Sequence, residues 1–210
     1  MTTQVLRFCV GGMSQNFTNF AYTDSVKAAQ EKYGSRGPNA RVEQSPDRFL
    51  LTEREIPFLE SRNSFYMATV GENGWPYVQH RGGPEGFLKV VDDRTLAFPD
   101  YPGNTQYISI GNLQADQRAC LIFVDYPRQE RLKIWAHVKV VEKDTDTALM
   151  AKLAHAGTRA PVERAMVLTV QAYDWNCPQH ITPRYSVNEV EDLLKAINPE
   201  AVESCVKNLG

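Results

Sequence analysis

The feature that most constrains this chain is a succession of short strand-like segments joined by tight turns, with little helical pattern between them. Ser64–Val70 leads into an Asn73-Gly74 turn signal, and Trp75–Arg81 returns from it. Two apolar runs, Phe87–Val91 and Thr95–Phe98, flank the turn Asp92-Asp93-Arg94. Ala119–Asp125 turns through Tyr126–Glu130 into Leu132–Val141, and Arg164–Tyr173 forms a last long strand. Leu132–Val141 is the best patterned: Leu132, Ile134, Ala136, Val138 and Val140 face one way, Lys133, Trp135, His137 and Lys139 the other. Six or seven such strands predict a mainly β fold, an antiparallel barrel with helical additions. A doubly wound parallel sheet is excluded, because it needs helical crossovers between most of its strands.

The helical additions sit mainly at the two ends. Asp24 is expected to cap a helix over Ser25–Tyr33, with Gly34 at its left-handed end. Gly, Pro and Asn punctuate Ser35–Pro46, which therefore reads as a loop. Thr52 and Glu55 form a capping box for Glu53–Ser61, and Ser186 with Glu189 forms another for Val187–Ile197. A short helix is expected over Asn104–Leu113, another over Asp144–Ala154 with Gly157 beyond it, and a weaker one after Pro199. Residues 1–15 read as a loosely ordered arm or an extra strand. The organisation expected is an arm and helices over 1–62 packing on the barrel, a barrel domain over 63–183, and C-terminal helices over 184–210.

A chain of 210 residues, 42% hydrophobic and 23% charged, carries enough apolar material for one core. Its formal net charge of -2 gives no basic field for nucleic acid or an anionic membrane. The four cysteines are scattered without a CxxC, as free thiols in a reducing compartment are. With no signal-peptide core and no apolar run near the roughly 20 residues of a membrane span, a cytoplasmic location is expected.

Common nucleotide, zinc-protease and serine-hydrolase motifs are absent, and the four histidines are too dispersed for a metal site. Four places remain. Gln79-His80-Arg81-Gly82-Gly83 ends a strand with polar donors, a guanidinium and open backbone, which suits a phosphate or is simply a strand end and turn. Phe98-Pro99-Asp100-Tyr101-Pro102-Gly103-Asn104 is a rigid aromatic turn, and Asn104 is expected to cap the helix that follows, near whose N-terminus an anion is favoured. Trp135 and His137 can stack on a ring or pack at an interface. Pro178-Gln179-His180 with Arg184 either closes over a ligand or leads into the last helix.

FYMATVGENGWPYVQHRGG, TLAFPDYPGNTQYISIGNL, ACLIFVDY and the tail motif NCPQHITPR together resemble the pyridoxamine 5'-phosphate oxidase-like family, in its flavin-nucleotide-binding subgroup. The resemblance covers about Phe58 to Lys143 and implies an FMN-binding split barrel acting as a homodimer with FMN at the subunit interface. It implies that Gln79, His80, Arg81 and Gly82 contact the flavin ring edge and phosphate, and that Phe98, Pro99, Asp100 and Tyr101 lie along the flavin. Gly103, Asn104 and Asn112 fall near the phosphate and ribityl chain, and Trp135, Gln179, His180 and Arg184 come from the partner chain. The family's basic phosphate motif after the aromatic turn is replaced here by Pro102-Gly103-Asn104-Thr105-Gln106, so vitamin B6 specificity is not implied. The expected function is an FMN-dependent oxidoreductase of unassigned small-molecule substrate, with no catalytic acid or base assigned. The alternatives are a flavin carrier without turnover, or a barrel holding haem or a deazaflavin.

Overall fold

The computed structural model describes residues 16–154 and 161–197. The expected N-terminal arm, Gly157 and the helix after Pro199 lie outside the described residues. The chain divides into two compact units, one of Met1–Phe123 with Leu132–Asp174, the other of Val124–Arg131 with Trp175–Gly210.

Among the described residues, the first unit begins with four short helices: α1 (Thr18–Ala21), α2 (Asp24–Lys32), α3 (Arg36–Glu43) and α4 (Glu55–Glu60). Thr23, one residue before the expected cap, holds the start of α2 by accepting from the Val26 N–H. The region expected to be a loop is instead α3. Its glycine and proline, Gly37 and Pro38, sit in the first turn, where amide groups have no intrahelical acceptor and proline does no harm. Thr52 and Glu55 do bond, one Glu55 carboxylate oxygen accepting from the Thr52 N–H at 3.1 Å and from its hydroxyl at 2.6 Å, but the helix starts two residues later than expected, at Glu55, with Arg54 at its cap position and no side-chain cap.

Seven strands follow among the described residues: β1 (Ser64–Val70), β2 (Pro76–Gly82), β3 (Lys89–Val90), β4 (Thr95–Asp100), β5 (Arg118–Asp125), β6 (Glu130–Glu142) and β7 (Arg164–Asn176). They form one sheet in the order β2-β1-β5-β6-β7-β4-β3, and the pairs β1–β2, β1–β5, β3–β4 and β4–β7 are antiparallel. Two helices are inserted, α5 (Ile108–Ala115) after β4 and α6 (Thr147–Leu153) after β6, the latter capped by Asp146. The alternation expected in β6 is observed: Leu132, Ile134, Ala136 and Val138 are buried. Leu132, Ile134 and Val138 each contribute about 1.5–3 kcal/mol by burial.

β4 runs two residues further than its apolar stretch, through Pro99 and Asp100. Proline is tolerated there because β4 pairs at that point with β7 (Pro99 opposite Ala165), while the β3 pairing stops at Ala97. The sheet curls so that β1 and β4, distant in strand order, face each other through the core: Phe65 meets Phe98 edge-on at 5.1 Å, and Phe123 packs on Phe65 at 4.8 Å. The fold is a mainly β split barrel with helical additions.

In the second unit, Gln129 donates its side-chain amide to the Ile181 carbonyl at 2.6 Å, and Arg184 lies 5.2 Å over the Tyr126 ring. Its helix α7 (Val187–Ile197) has the expected bounds, and Glu189 accepts from the Ser186 N–H and hydroxyl. No helix among the described residues is long and apolar enough to cross a membrane.

Candidate functional site

The pleat of β2 divides the polar cluster that ends it. Arg81, Gln79 and Tyr77 stand opposite Phe65, Met67 and Thr69 of β1, so they share the face that turns toward the core. His80 and Val78 stand opposite Tyr66 and Ala68 on the outer face, where the His80 ring meets Tyr66 edge-on at 5.5 Å. Gln79 and Arg81 are therefore brought together, and the His80 side chain is turned away from them.

Helix α5 lies against this inner row. Ser109 donates to the Gln79 side-chain carbonyl at 2.8 Å, and Asn112 donates to the Thr69 hydroxyl at 3.0 Å. The Ser109 bond orients the Gln79 amide and leaves its NH2 group as a donor. Asn104 does not cap α5, contrary to the sequence expectation. Its carboxamide oxygen instead accepts from the Gln106 N–H at 3.2 Å, an Asx turn, and the cap position falls on Tyr107. Tyr107 is left-handed (φ 51), as is Thr105 (φ 57), and no side chain caps the helix. The first-turn N–H groups of α5 consequently remain open donors. Two non-glycine residues in this backbone region within three positions mark a strained turn.

Arg81, Asp100 and Arg164 form a charged bridge beside that turn. Asp100 accepts from Arg81 at 2.7 Å through one oxygen and from Arg164 at 3.1 Å through the other. The three side chains are 12%, 8% and 14% exposed. Because β2 and β4 are not neighbours in the sheet, the Arg81–Asp100 pair spans the gap between them. Arg164 also takes one Glu163 oxygen in its fork, at 3.0 Å through each terminal nitrogen, and lies 5.1 Å over the Tyr107 ring. Burial acts against its charge, yet the hydrogen bond and charge of Asp100 outweigh that and raise its pKa above the ordinary arginine value.

These groups line a cleft of about 200 Å³ with Tyr77, Tyr101, Gly103 and the start of α5. A second hollow of about 570 Å³ shares Gln79, Arg81 and Tyr101 with it and adds His80, Gly82, Phe98 and Pro99. A third, of about 710 Å³, shares Tyr77 and Tyr107 with the first and includes Asn112 and Trp75. Two buried polar atoms beside the first two hollows have no hydrogen-bond partner, the Arg81 Nε–H and the Tyr101 hydroxyl. Such atoms are uncommon in folded proteins, and here they are the groups a ligand oxygen or nitrogen would satisfy.

The expected residues Gln79, Arg81, Asp100, Tyr101, Gly103 and Asn104 thus meet around one cleft. Trp135 instead stacks on Phe17 of the same chain, with ring centroids 5.7 Å apart and planes at 23°. Gln179, His180 and Arg184 belong to the second unit, where Gln179 and His180 are exposed. Sequence reasoning missed Arg164, Glu163 and Ser109. Arg164 supplies a cation of the kind absent after Tyr101, and it comes from β7, directly opposite Asp100 in the sheet register. No local motif signals that pairing; a lone arginine at the start of an apolar strand is the only trace. Among the described residues no group of three or more His, Cys, Asp or Glu is placed to hold a metal.

Residues 51–176 match the family model described as pyridoxamine 5'-phosphate oxidase, a span that includes all seven strands and the cleft. No curated protein matches the chain. Among solved structures, a Lactobacillus delbrueckii protein described as a candidate pyridoxamine 5'-phosphate oxidase is 24% identical, with a TM-score of 0.47 over 60% of this chain and 93% of that one. An F420 reductase is 20% identical (TM-score 0.44, 59% and 98% covered), and an FMN-binding protein from Syntrophomonas wolfei 10% identical (0.44, 58% and 86%). With more than half of its length matched by the family model, this chain belongs to the pyridoxamine 5'-phosphate oxidase family.

Proposed function

We propose that the chain is an FMN-binding flavoprotein, an oxidoreductase of a small-molecule substrate, working as a cytoplasmic homodimer. The observation that carries this reading is the pair of partnerless buried atoms, Arg81 Nε and Tyr101 hydroxyl, in a cleft that also holds the uncapped start of α5. This donor set fits a flavin. The ring edge needs several fixed hydrogen-bond donors, supplied by the Gln79 amide, Arg81 and Tyr101. The phosphate end needs N–H groups, supplied by the first turn of α5 and by Asn104. The first cleft alone is smaller than the roughly 300 Å³ at which ligand pockets begin, and the hollow sharing Gln79, Arg81 and Tyr101 makes up the difference.

Bound FMN would supply hydride and electron transfer. The chain's own residues bind it and orient it. Gly82 ends β2 beside the hollow, its missing Cβ making room for the His80 ring, while Phe98 and Pro99 wall the hollow on the β4 side. The dimer reading rests on the outer face of β1 and β2, where Tyr66, Val70, Val78 and the adjoining Trp75 are 40%, 37%, 60% and 74% exposed. In such a dimer Trp135, Gln179, His180 and Arg184 are assigned to the partner's site by family likeness.

Titrating purified protein with FMN and following flavin fluorescence tests the assignment. Saturable quenching at one FMN per chain supports it. Colourless protein that leaves FMN fluorescence unchanged refutes it. Anaerobic reduction of the bound flavin by NADH or NADPH then separates an enzyme from a carrier.

A further inference from the structure

The charges that line the cleft cancel. Its cations are Arg81 and Arg164, and its carboxylates are Asp100 and Glu163. Asp100 takes one terminal nitrogen from each arginine, and Glu163 occupies the remaining fork of Arg164 at 3.0 Å through both terminal nitrogens. Glu142 stands 3.7 Å from the Arg164 Nε. Every donating edge of Arg164 therefore already faces a carboxylate. The placement of Glu163 is fixed by the sheet, since its backbone N–H donates to the Asp100 carbonyl at 3.1 Å where the chain enters β7. A dianionic phosphate arriving here meets two cations already neutralised by two anions, so its net electrostatic attraction is small.

We infer that Glu163 determines ligand specificity in this cleft: by occupying the guanidinium fork of Arg164 it lowers the preference for a terminal phosphate and leaves selection to the ring. The inference rests on the flavin reading and deepens it. The ligand class that follows is a flat, hydrogen-bonding ring system whose side arm contributes little, so that riboflavin and its phosphate bind alike. Glu163 is suited to testing, because its side chain is 34% exposed.

Fluorescence titrations with riboflavin and FMN, and calorimetry with inorganic phosphate, on the native chain and Glu163→Gln, test this. Native protein is expected to bind riboflavin and FMN with dissociation constants within about threefold of each other. Glu163→Gln is expected to tighten FMN about tenfold and inorganic phosphate comparably, because it removes one carboxylate charge from the Arg164 fork and leaves only a weaker neutral acceptor for the phosphate to displace, with riboflavin unchanged. In an Arg164→Gln background the same change is expected to gain nothing. A native preference for FMN of about a hundredfold, or an FMN-to-riboflavin ratio that Glu163→Gln leaves unmoved, overturns the inference while the flavin reading stands. If neither flavin binds either protein, the flavin reading fails. The phosphate titration then decides alone: tightening in Glu163→Gln upholds the role of Glu163, and no change overturns it.

Discussion

Replacing Asp100 with Asn is the perturbation whose consequence follows most directly from the geometry. Asp100 accepts two charge-assisted hydrogen bonds, at 2.7 Å from Arg81 and 3.1 Å from Arg164, and all three side chains are under 15% exposed. Each such bond contributes about 1.5–3 kcal/mol. The Asn amide keeps one oxygen as acceptor and so retains about 1 kcal/mol of neutral hydrogen bonding, but it leaves one of two largely desolvated guanidinium groups without a counter-charge. The net loss is about 3 kcal/mol, at the lower end of what breaking a buried pair costs. For a chain of 210 residues, that corresponds to a fall in Tm of about 6–12 °C. Differential scanning calorimetry measures it, and Asp192→Asn on the exposed face of α7 is the control, removing an equal charge from a side chain 79% exposed. The control should move Tm by less than about 1 °C. Added salt should leave the Asp100 effect nearly intact, because ions screen buried pairs weakly. A fall of less than about 2 °C for Asp100→Asn, or one that salt abolishes, refutes the claim that this bridge holds β2 to β4.

Three further outcomes are expected. Gly83→Ala places a Cβ 2.7–2.8 Å from the Cγ and Cβ of the buried Phe87 ring, and should cost about 1–3 kcal/mol in urea unfolding; an unchanged midpoint would show that the turn relaxes freely. Asp116, hydrogen-bonded by the Arg118 side chain and backbone, has its pKa lowered to about 2. The stabilisation it brings is therefore present above the ordinary value near 3.8 and lost as pH falls through 2, so the Tm difference between native and Asp116→Asn protein should persist at pH 5 and vanish near pH 2. Tyr173 is pushed up to about 12 by burial and by the charge of Glu55. Folding thus favours its protonated form, and the stability it brings is present below pH 10 and lost as pH rises through 12. Absorbance titration should find one phenol, missing in Tyr173→Phe, that ionises last.

The strands were legible because a half-buried sheet imposes a period of two on the sequence itself, as in Leu132, Ile134, Ala136 and Val138. Both Ser/Thr–Glu pairings were legible for a similar reason: Thr52–Glu55 and Ser186–Glu189 make their bonds within four residues. Where reading failed locally, position within an element overrode residue type. Pro38 looked like a breaker but occupies a first helical turn, and Pro99 looked like a strand end but lies on a stretch of β4 paired on one side. Asn104 had the right chemistry for a cap and spent it on a turn of its own.

The sequence by itself determined a mainly β fold, a polar strand end and a rigid aromatic turn, because these depend on contacts between near neighbours in the chain. Only the tertiary structure decided what those ends face. Curling of the sheet set Arg81 against Asp100 across the gap, and the β4–β7 register delivered Arg164 and Glu163 to the same cleft. Phe17 likewise occupies one face of Trp135, the indole proposed for a ligand. Each of these meetings joins residues from 19 to 118 positions apart, distances over which periodicity carries no signal and only the closing of the sheet brings charge to charge.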